Sequence, residues 1–429
     1  MSILFKNCSL LVREEQGYKE LKNAYLGVDG KLIDYISVEA PKKKYDEEKD
    51  MSGKLLIPGL TNAHGHSAMT LVRAAGSGLP LQRWLNEAIF PIEAKMTEDD
   101  IAVGTRAAML EMLACGTTNL EEMYDFPWAE VPVIEESGMK VRLGRVLHNF
   151  DPVEGRRLKE CQDFYEKYNG LADGRVQVSI GLHSEYLTVE KQIIPLGEWL
   201  RDSKCPVHVH VSETKSEHEE CMERHGGLTP VQYFNKHGIL EVPVTMAHCV
   251  WVTDEDLKIM AAKGSTIAHN PTSNLKLGSG IARIGKAVEM GVNVALGTDG
   301  VASNNNLNMF EEMHLAALLQ KGVYNDPTLL TDAQVFDMAT INGAKAVGQP
   351  NSGVLAVGKC ADIVAVDMDK PHLKPNVDSL ALMVFSAQGS DVCMTMVDGR
   401  ILYENGEYKT LDKEKVEFEL QKAVDRLMA

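Results

Sequence analysis

Short apolar runs rich in β-branched residues recur through the middle of the chain, at 55–60, 117–120, 140–146, 176–182, 207–211, 244–247, 265–268 and 292–297. Between them lie stretches with the i, i+3, i+4 spacing of helices, as at 98–114, 190–202, 254–263 and 280–290. Gly116, Gly138, Gly264 and Gly291 follow such stretches, where helices commonly end on a left-handed residue. Eight strands alternating with helices predict βα units and a parallel sheet. Eight is also the count that closes a (β/α)8 TIM barrel, at ~250 residues or more. An open doubly wound sheet is the competitor, but no G-x-G-x-x-G stands at a strand-to-helix turn.

The two ends differ. Short strand-like runs lie at 3–11, 24–28 and 32–38, and again at 363–366, 392–397 and 401–402, with Asp29-Gly30 and Asp398-Gly399 as turn signals. No helical crossover separates them. The expected fold is therefore α/β: a barrel over residues 55–348, beside a small β-sandwich domain composed of residues 1–54 and 349–429. Residues 413–428 predict an amphipathic helix, with Val416, Leu420, Ala423 and Leu427 on one face.

The chain has 429 residues, 44% hydrophobic and 24% charged, with a formal charge of −17. That composition is globular, and the length allows two or three domains at ~150 residues each or one large barrel with an appendage. The acidity without a basic run argues against a nucleic-acid polymer as partner and against a polybasic membrane anchor. The opening residues lack the charged and apolar regions of a signal peptide, and no apolar run reaches the ~18 residues of a membrane span. The eight cysteines are scattered and none has CxxC spacing, so they read as core or incidental thiols in a reducing cytosol. The expected location is cytoplasmic.

Candidate chemistry gathers where the strands end. The first is followed by Pro58-Gly59-Leu60-Thr61-Asn62-Ala63-His64-Gly65-His66, which puts two imidazoles on one side of an extended segment. At the C-terminal end of a barrel strand, that side is the mouth where such folds place their chemistry. The fourth ends at His183, the fifth at His208-Val209-His210-Val211-Ser212-Glu213, the sixth at His248, the seventh at His269 and the eighth at Thr298-Asp299-Gly300. Imidazoles with one carboxylate suit Zn²⁺ or Fe²⁺.

Pro-Gly-x-x-x-x-His-x-His after strand one, His-x-x-Glu after strand five, His after strand six and Thr-Asp-Gly after strand eight resemble the amidohydrolase superfamily. Within it the chain is most similar to the 5′-methylthioadenosine/S-adenosylhomocysteine deaminases and their chlorohydrolase relatives. Supporting stretches are Leu81-Gln82-Arg83-Trp84-Leu85, Cys115-Gly116-Thr117-Thr118, His269-Asn270-Pro271-x-Ser273-Asn274 and Ser303-Asn304-Asn305-Asn306. The resemblance implies that His64, His66, His210 and Asp299 hold one divalent metal, zinc first, with Fe²⁺ and Mn²⁺ as alternatives. It implies Glu213 as proton shuttle, His248 as the group orienting the nucleophile and Asp299 as its base. His183 stands where binuclear relatives carry a bridging lysine, so a single metal is expected.

For the substrate, the resemblance implies Glu93 for the ribose hydroxyls, Trp84 against the base or 5′ substituent, and His183 for the purine. Arg145 matches an arginine for a polar substrate tail, and Arg157 is a possible second. His208 and His269 read as supporting imidazoles, His148 as incidental, and Glu311 and Glu312 as a solvated helix face. The implied activity is hydrolytic deamination of adenosine-type nucleosides by a homo-oligomer. The alternatives are guanine, another aminopurine or a triazine as substrate, and a catalytically silent binding barrel.

Overall fold

The computed structural model describes residues 2–15, 17–151 and 153–429. The chain begins with five strands: β1 (Ser2–Glu14), β2 (Gly17–Asp29), β3 (Leu32–Ser37), β4 (Glu47–Asp50) and β5 (Lys54–Pro58). Eight more follow, each separated from the next by at least one helix: β6 (Leu60–Gly65), β7 (Thr117–Tyr124), β8 (Lys140–Leu147), β9 (Val176–Leu182), β10 (Val207–Val211), β11 (Val244–His248), β12 (Thr266–His269) and β13 (Asn293–Leu296). The chain ends with β14 (Ile363–Asp367), β15 (Val392–Val397), β16 (Arg400–Glu404), β17 (Glu407–Tyr408) and the expected helix Lys413–Met428.

Strands β6 to β13 pair in sequence order as one parallel eight-stranded sheet. Its two edges meet: Thr298 N donates to Asn62 Oδ1 at 3.0 Å, and Asp299 N to His64 O at 2.9 Å. The barrel is thus closed across β6 and the end of β13. Along β10 the valines Val207, Val209 and Val211 belong to the apolar core shared with surrounding helices, as with Leu196, Leu200 and Phe234. The alternate residues His208 and His210 turn inward to the other imidazoles. Strict alternation on a strand buried on both faces thus puts polar chemistry inside the barrel and packing outside.

The ends build a second, mixed sheet in the order β17-β16-β15-β14-β5-β1-β2-β3, with β4 paired to β1. β5 is its centre: it runs parallel to β1 through Ser9↔Leu55 and antiparallel to β14 through Ile363↔Pro58. The apolar run 55–60 is therefore not one barrel strand. It breaks at Gly59, whose N–H donates to Asp362 O at 2.9 Å. A Cβ there would stand 2.2 Å from Thr118 Oγ1, so only glycine lets the chain step from one sheet to the other. β5 and β6 are both buried, so hydrophobicity runs unbroken across the step.

Local signals explain the helix ends. Glu98–Ala114 starts at Thr97, whose hydroxyl accepts from Asp100 N while Asp100 accepts from Thr97 N at 2.7 Å. Gly138 and Gly264 end helices at φ 85° and 67°. The Asp398-Gly399 hairpin joins β15 to β16 with φ 46° and 73°. All eight cysteines are free thiols, five of them buried. No helix among the described residues is long and apolar enough to cross a membrane.

Candidate active site

Four side chains, from β6, β10 and the residue beyond the end of β13, converge at the mouth of the barrel. His64 Nε2 and His66 Nε2 each lie 3.2 Å from Asp299 Oδ1, and His210 Nε2 lies 3.3 Å from His66 Nε2. The other ring nitrogens are tied elsewhere. His66 Nδ1 faces Met123 O at 2.7 Å and His210 Nδ1 faces His183 O at 2.7 Å. A carbonyl accepts, so those two Nδ1 atoms carry protons and each ring turns its Nε2 into the site. These two Nε2 atoms stand 3.3 Å apart beside a carboxylate; burial would lower His66, but Asp299 holds it up at about 9, so the site favours a positive charge at this point. His64 Nε2 is also buried without a hydrogen-bond partner. The residues fit a divalent metal with the donor set of a hydrolytic site.

Asp299 is held by its neighbours. Ser273 and Ser303 donate their hydroxyls to Oδ2 at 2.6 and 2.7 Å, and Gly300 N donates to Oδ1 at 2.8 Å. Both serines fall in stretches that carried the resemblance, but neither had a role assigned from sequence. His208 Nε2 lies 2.8 Å from His64 Nδ1, the supporting place read for it.

Glu213 follows β10 and is buried. Its Oε2 lies 3.7 Å from His248 Nε2, and Ser279 Oγ donates to its Oε1 at 3.3 Å. Burial pushes the Glu213 carboxyl up, while His248 beside it pulls the other way. Its backbone is fixed by Glu217, which accepts Ser212 N at 2.9 Å and Glu213 N at 2.7 Å. His248 Nδ1 faces Asn274 Oδ1 at 2.9 Å, leaving Nε2 for the site.

These groups open into a cavity of 530 Å³. Glu93, Trp84 and His183 line it, as does Arg157. Tyr124 donates its hydroxyl to Glu93 Oε1 at 2.5 Å, and burial pushes the Glu93 carboxyl up. Trp84 is buried and donates Nε1 to Ala75 O at 3.0 Å. Burial takes His183 down to about 3, so its ring is neutral.

Arg145 is placed differently from the expectation. It is buried behind the cavity wall, paired with Asp125 and with Glu160 Oε2 at 2.8 Å. A residue at a strand end alternates in or out by register, and position 145 turns towards the outer ion pairs.

Three residues were misread or missed. His148, read as incidental, is buried, lines the cavity and lies 2.9 Å from Arg157 Nη2. Asp125 directly follows β7 and also lines the cavity. The rule applied to histidines, that strand ends carry chemistry, marks it equally. Glu312 is fully buried, not solvated: its Oε1 accepts Asn304 Nδ2 at 2.7 Å and its Oε2 accepts Thr272 N at 3.2 Å. It ties the start of the helix Pro271–Lys276, which carries Ser273, to the loop that carries Ser303.

The amidohydrolase family model matches residues 55–402. Over its full length the chain is 41% identical to a 5-methylthioadenosine/S-adenosylhomocysteine deaminase of Acetivibrio thermocellus, covering 100% of both chains. It is 40% identical to a 5′-deoxyadenosine deaminase of Methanosarcina mazei, covering 100% of this chain and 98% of the other. The crystal structure of an adenosine deaminase from Xanthomonas campestris with bound zinc superposes with a TM-score of 0.94 at 27% identity, over 99% of this chain and 98% of that one. With a closed parallel barrel, a histidine-rich mouth and relatives matching end to end, the chain belongs to the amidohydrolase family of hydrolases acting on C–N bonds.

Proposed function

We propose that the protein hydrolytically removes the 6-amino group of adenosine-type nucleosides, giving the inosyl product and ammonia. The substrates in view are 5′-methylthioadenosine, S-adenosylhomocysteine, adenosine and 5′-deoxyadenosine. The observation that carries this reading is that Glu213, Glu93, His66, His210 and Asp299 line one cavity, with His64 buried against Asp299 at its floor. The names of the relatives at about 40% identity support it.

His64, His66, His210 and Asp299 are assigned to one divalent metal, with zinc first, in line with the zinc of the Xanthomonas structure. Bound there, such an ion lowers the pKa of water from 15.7 towards ~7 and so supplies a nucleophile at neutral pH. The remaining work falls to the side chains. His248, oriented by Asn274, holds the attacking water through Nε2. Asp299 takes the water's proton, its second oxygen steadied by two serine hydroxyls. Glu213, whose burial favours the protonated form, gives a proton to the ring nitrogen and makes the C–N carbon electrophilic. A proton then passes to the leaving amine. His183 hydrogen-bonds the purine, Trp84 packs against it, and Glu93 accepts the vicinal ribose hydroxyls.

Glu93 favours a nucleoside over guanine or a triazine, which have no ribose to meet it. The test is ammonia release across a panel of purine nucleosides and free bases, with metal analysis of the same preparation. Turnover of adenosine-type nucleosides with about one equivalent of metal is expected. Activity on free guanine or a triazine, with none on nucleosides, would replace this reading.

A further inference from the structure

Beyond Glu93, one carboxylate of the cavity wall, Asp125, holds two arginines: Arg157 in the wall and Arg145 behind it. Tyr124, whose hydroxyl meets Glu93, is followed directly by Asp125. If Glu93 holds the ribose, as in the function proposed above, Asp125 lies on the same stretch of cavity wall, within the space a 5′ substituent would enter. Its side chain is 40% exposed, and it lines the cavity. Arg157 Nη1 donates to Asp125 Oδ1 at 2.9 Å, and Arg157 Nη2 lies 2.9 Å from His148 Nε2. Arg145 gives one nitrogen to the same Asp125 oxygen and the other to Glu160 at 2.8 Å. Its guanidinium also lies 5.0 Å from the Trp128 ring centre and 6.0 Å from that of Phe126.

Each guanidinium therefore has both terminal nitrogens engaged by neighbours already in place, and its Nε is buried away from the cavity. Bidentate binding of a carboxylate needs a free pair of N–H groups. An incoming carboxylate would have to displace Asp125 and then lie beside its charge. Burial works to raise the Asp125 carboxyl, but His148, with Nε2 3.8 Å away, and the two arginine charges hold it down at about 2, so it stays ionised. Two cations, Arg145 and Arg157, face two anions, Asp125 and Glu160, and no net positive charge remains for an anionic tail.

We propose that Asp125 sets the 5′ specificity: by occupying both arginines it selects nucleosides with an uncharged 5′ group, such as methylthio, hydrogen or hydroxyl, over those ending in an amino-acid carboxylate. The repulsive element does the discriminating, and removing it frees a site for the excluded tail.

The test is steady-state deamination of 5′-methylthioadenosine and S-adenosylhomocysteine by the metal-loaded wild type, Asp125→Asn and Asp125→Ala. The wild type should favour the methylthio substrate in kcat/KM by about tenfold or more. Both variants should lower that ratio by about tenfold, chiefly through KM for S-adenosylhomocysteine, and adding Arg157→Ala should cancel the change. The ratio is read within each protein, so loss of folded enzyme lowers both activities alike and leaves it measurable. An unmoved ratio, or a wild type that prefers S-adenosylhomocysteine, overturns the assignment. A wild type that turns over no nucleoside overturns the deaminase reading itself, which is a different failure.

Discussion

Lys140 Nζ lies 2.7 Å from Asp362 Oδ2, and both side chains are almost fully buried. This pair joins β8 of the barrel to the residue just before β14 of the outer sheet, and Asp398 at the β15–β16 hairpin takes the same ammonium at 2.6 Å. Burial alone would lower the lysine, but the two carboxylates hold it up at about 12. Lys140→Met should destabilise the fold by about 3–5 kcal/mol, because it leaves two buried carboxylates uncompensated. Urea unfolding at constant metal measures this. A loss under about 1 kcal/mol would show that the carboxylates find other partners.

Glu213→Gln should keep the metal and the fold, since the amide preserves shape and position 213 is outside the proposed ligand set. It should lose about 10²–10⁴-fold in kcat, because the amide has no acidic proton to deliver. Metal content and rate measured on the same sample decide the matter; an active variant removes Glu213 from proton transfer.

His66→Ala and His210→Ala should each reduce bound metal to a small fraction of the wild-type content. Chelation of the wild type should lower its Tm, because an ion that binds only the folded chain stabilises it by mass action. An unchanged metal content in both variants would move the ion elsewhere.

Burial raises the Glu312 carboxyl to about 8, against hydrogen bonds from Thr272 and Asn304 that pull it down. A carboxyl raised above its unfolded value binds its proton more tightly in the native state. Its contribution to stability is complete below the unfolded value near 4.5 and is lost as pH rises through about 8. Glu312→Gln cannot ionise, so its stability relative to the wild type should rise between pH 5 and 8.5, by at most about 1.4 kcal/mol per pH unit. Denaturant curves at both pH values provide the check, and parallel behaviour would show that Glu312 ionises without penalty.

Much of the barrel could be read before any coordinates. The β-branched runs and the C-terminal glycines are local signals, and they agree with the parallel sheet. The histidines could be read too, because HxH on a strand and single imidazoles at strand ends obey one register. The step at Gly59 could not, since its cause is a non-local contact with Thr118. Glu312 beside Glu311 looks like an exposed pair, and only the loops folded over it bury one of the two. Arg145 sits at a strand end, but its direction depends on Asp125 and Glu160, which the spacing of residues does not disclose.

The meeting of β6 with the end of β13 bears on how the molecule holds itself shut. His64 and His66 stand on the first barrel strand, while Asp299 follows the last and bonds back to His64 O through its amide. Under the proposed ligand set, an ion at the mouth is a reversible cross-link over nearly the whole barrel. Unlike a disulfide it leaves the unfolded chain free, so it acts only on the native state, tying the first barrel strand to the residue beyond the last. The metal-free protein then has a seam, and amide exchange should quicken first along β6 and β13. Completion of the barrel and assembly of the catalytic centre are one event.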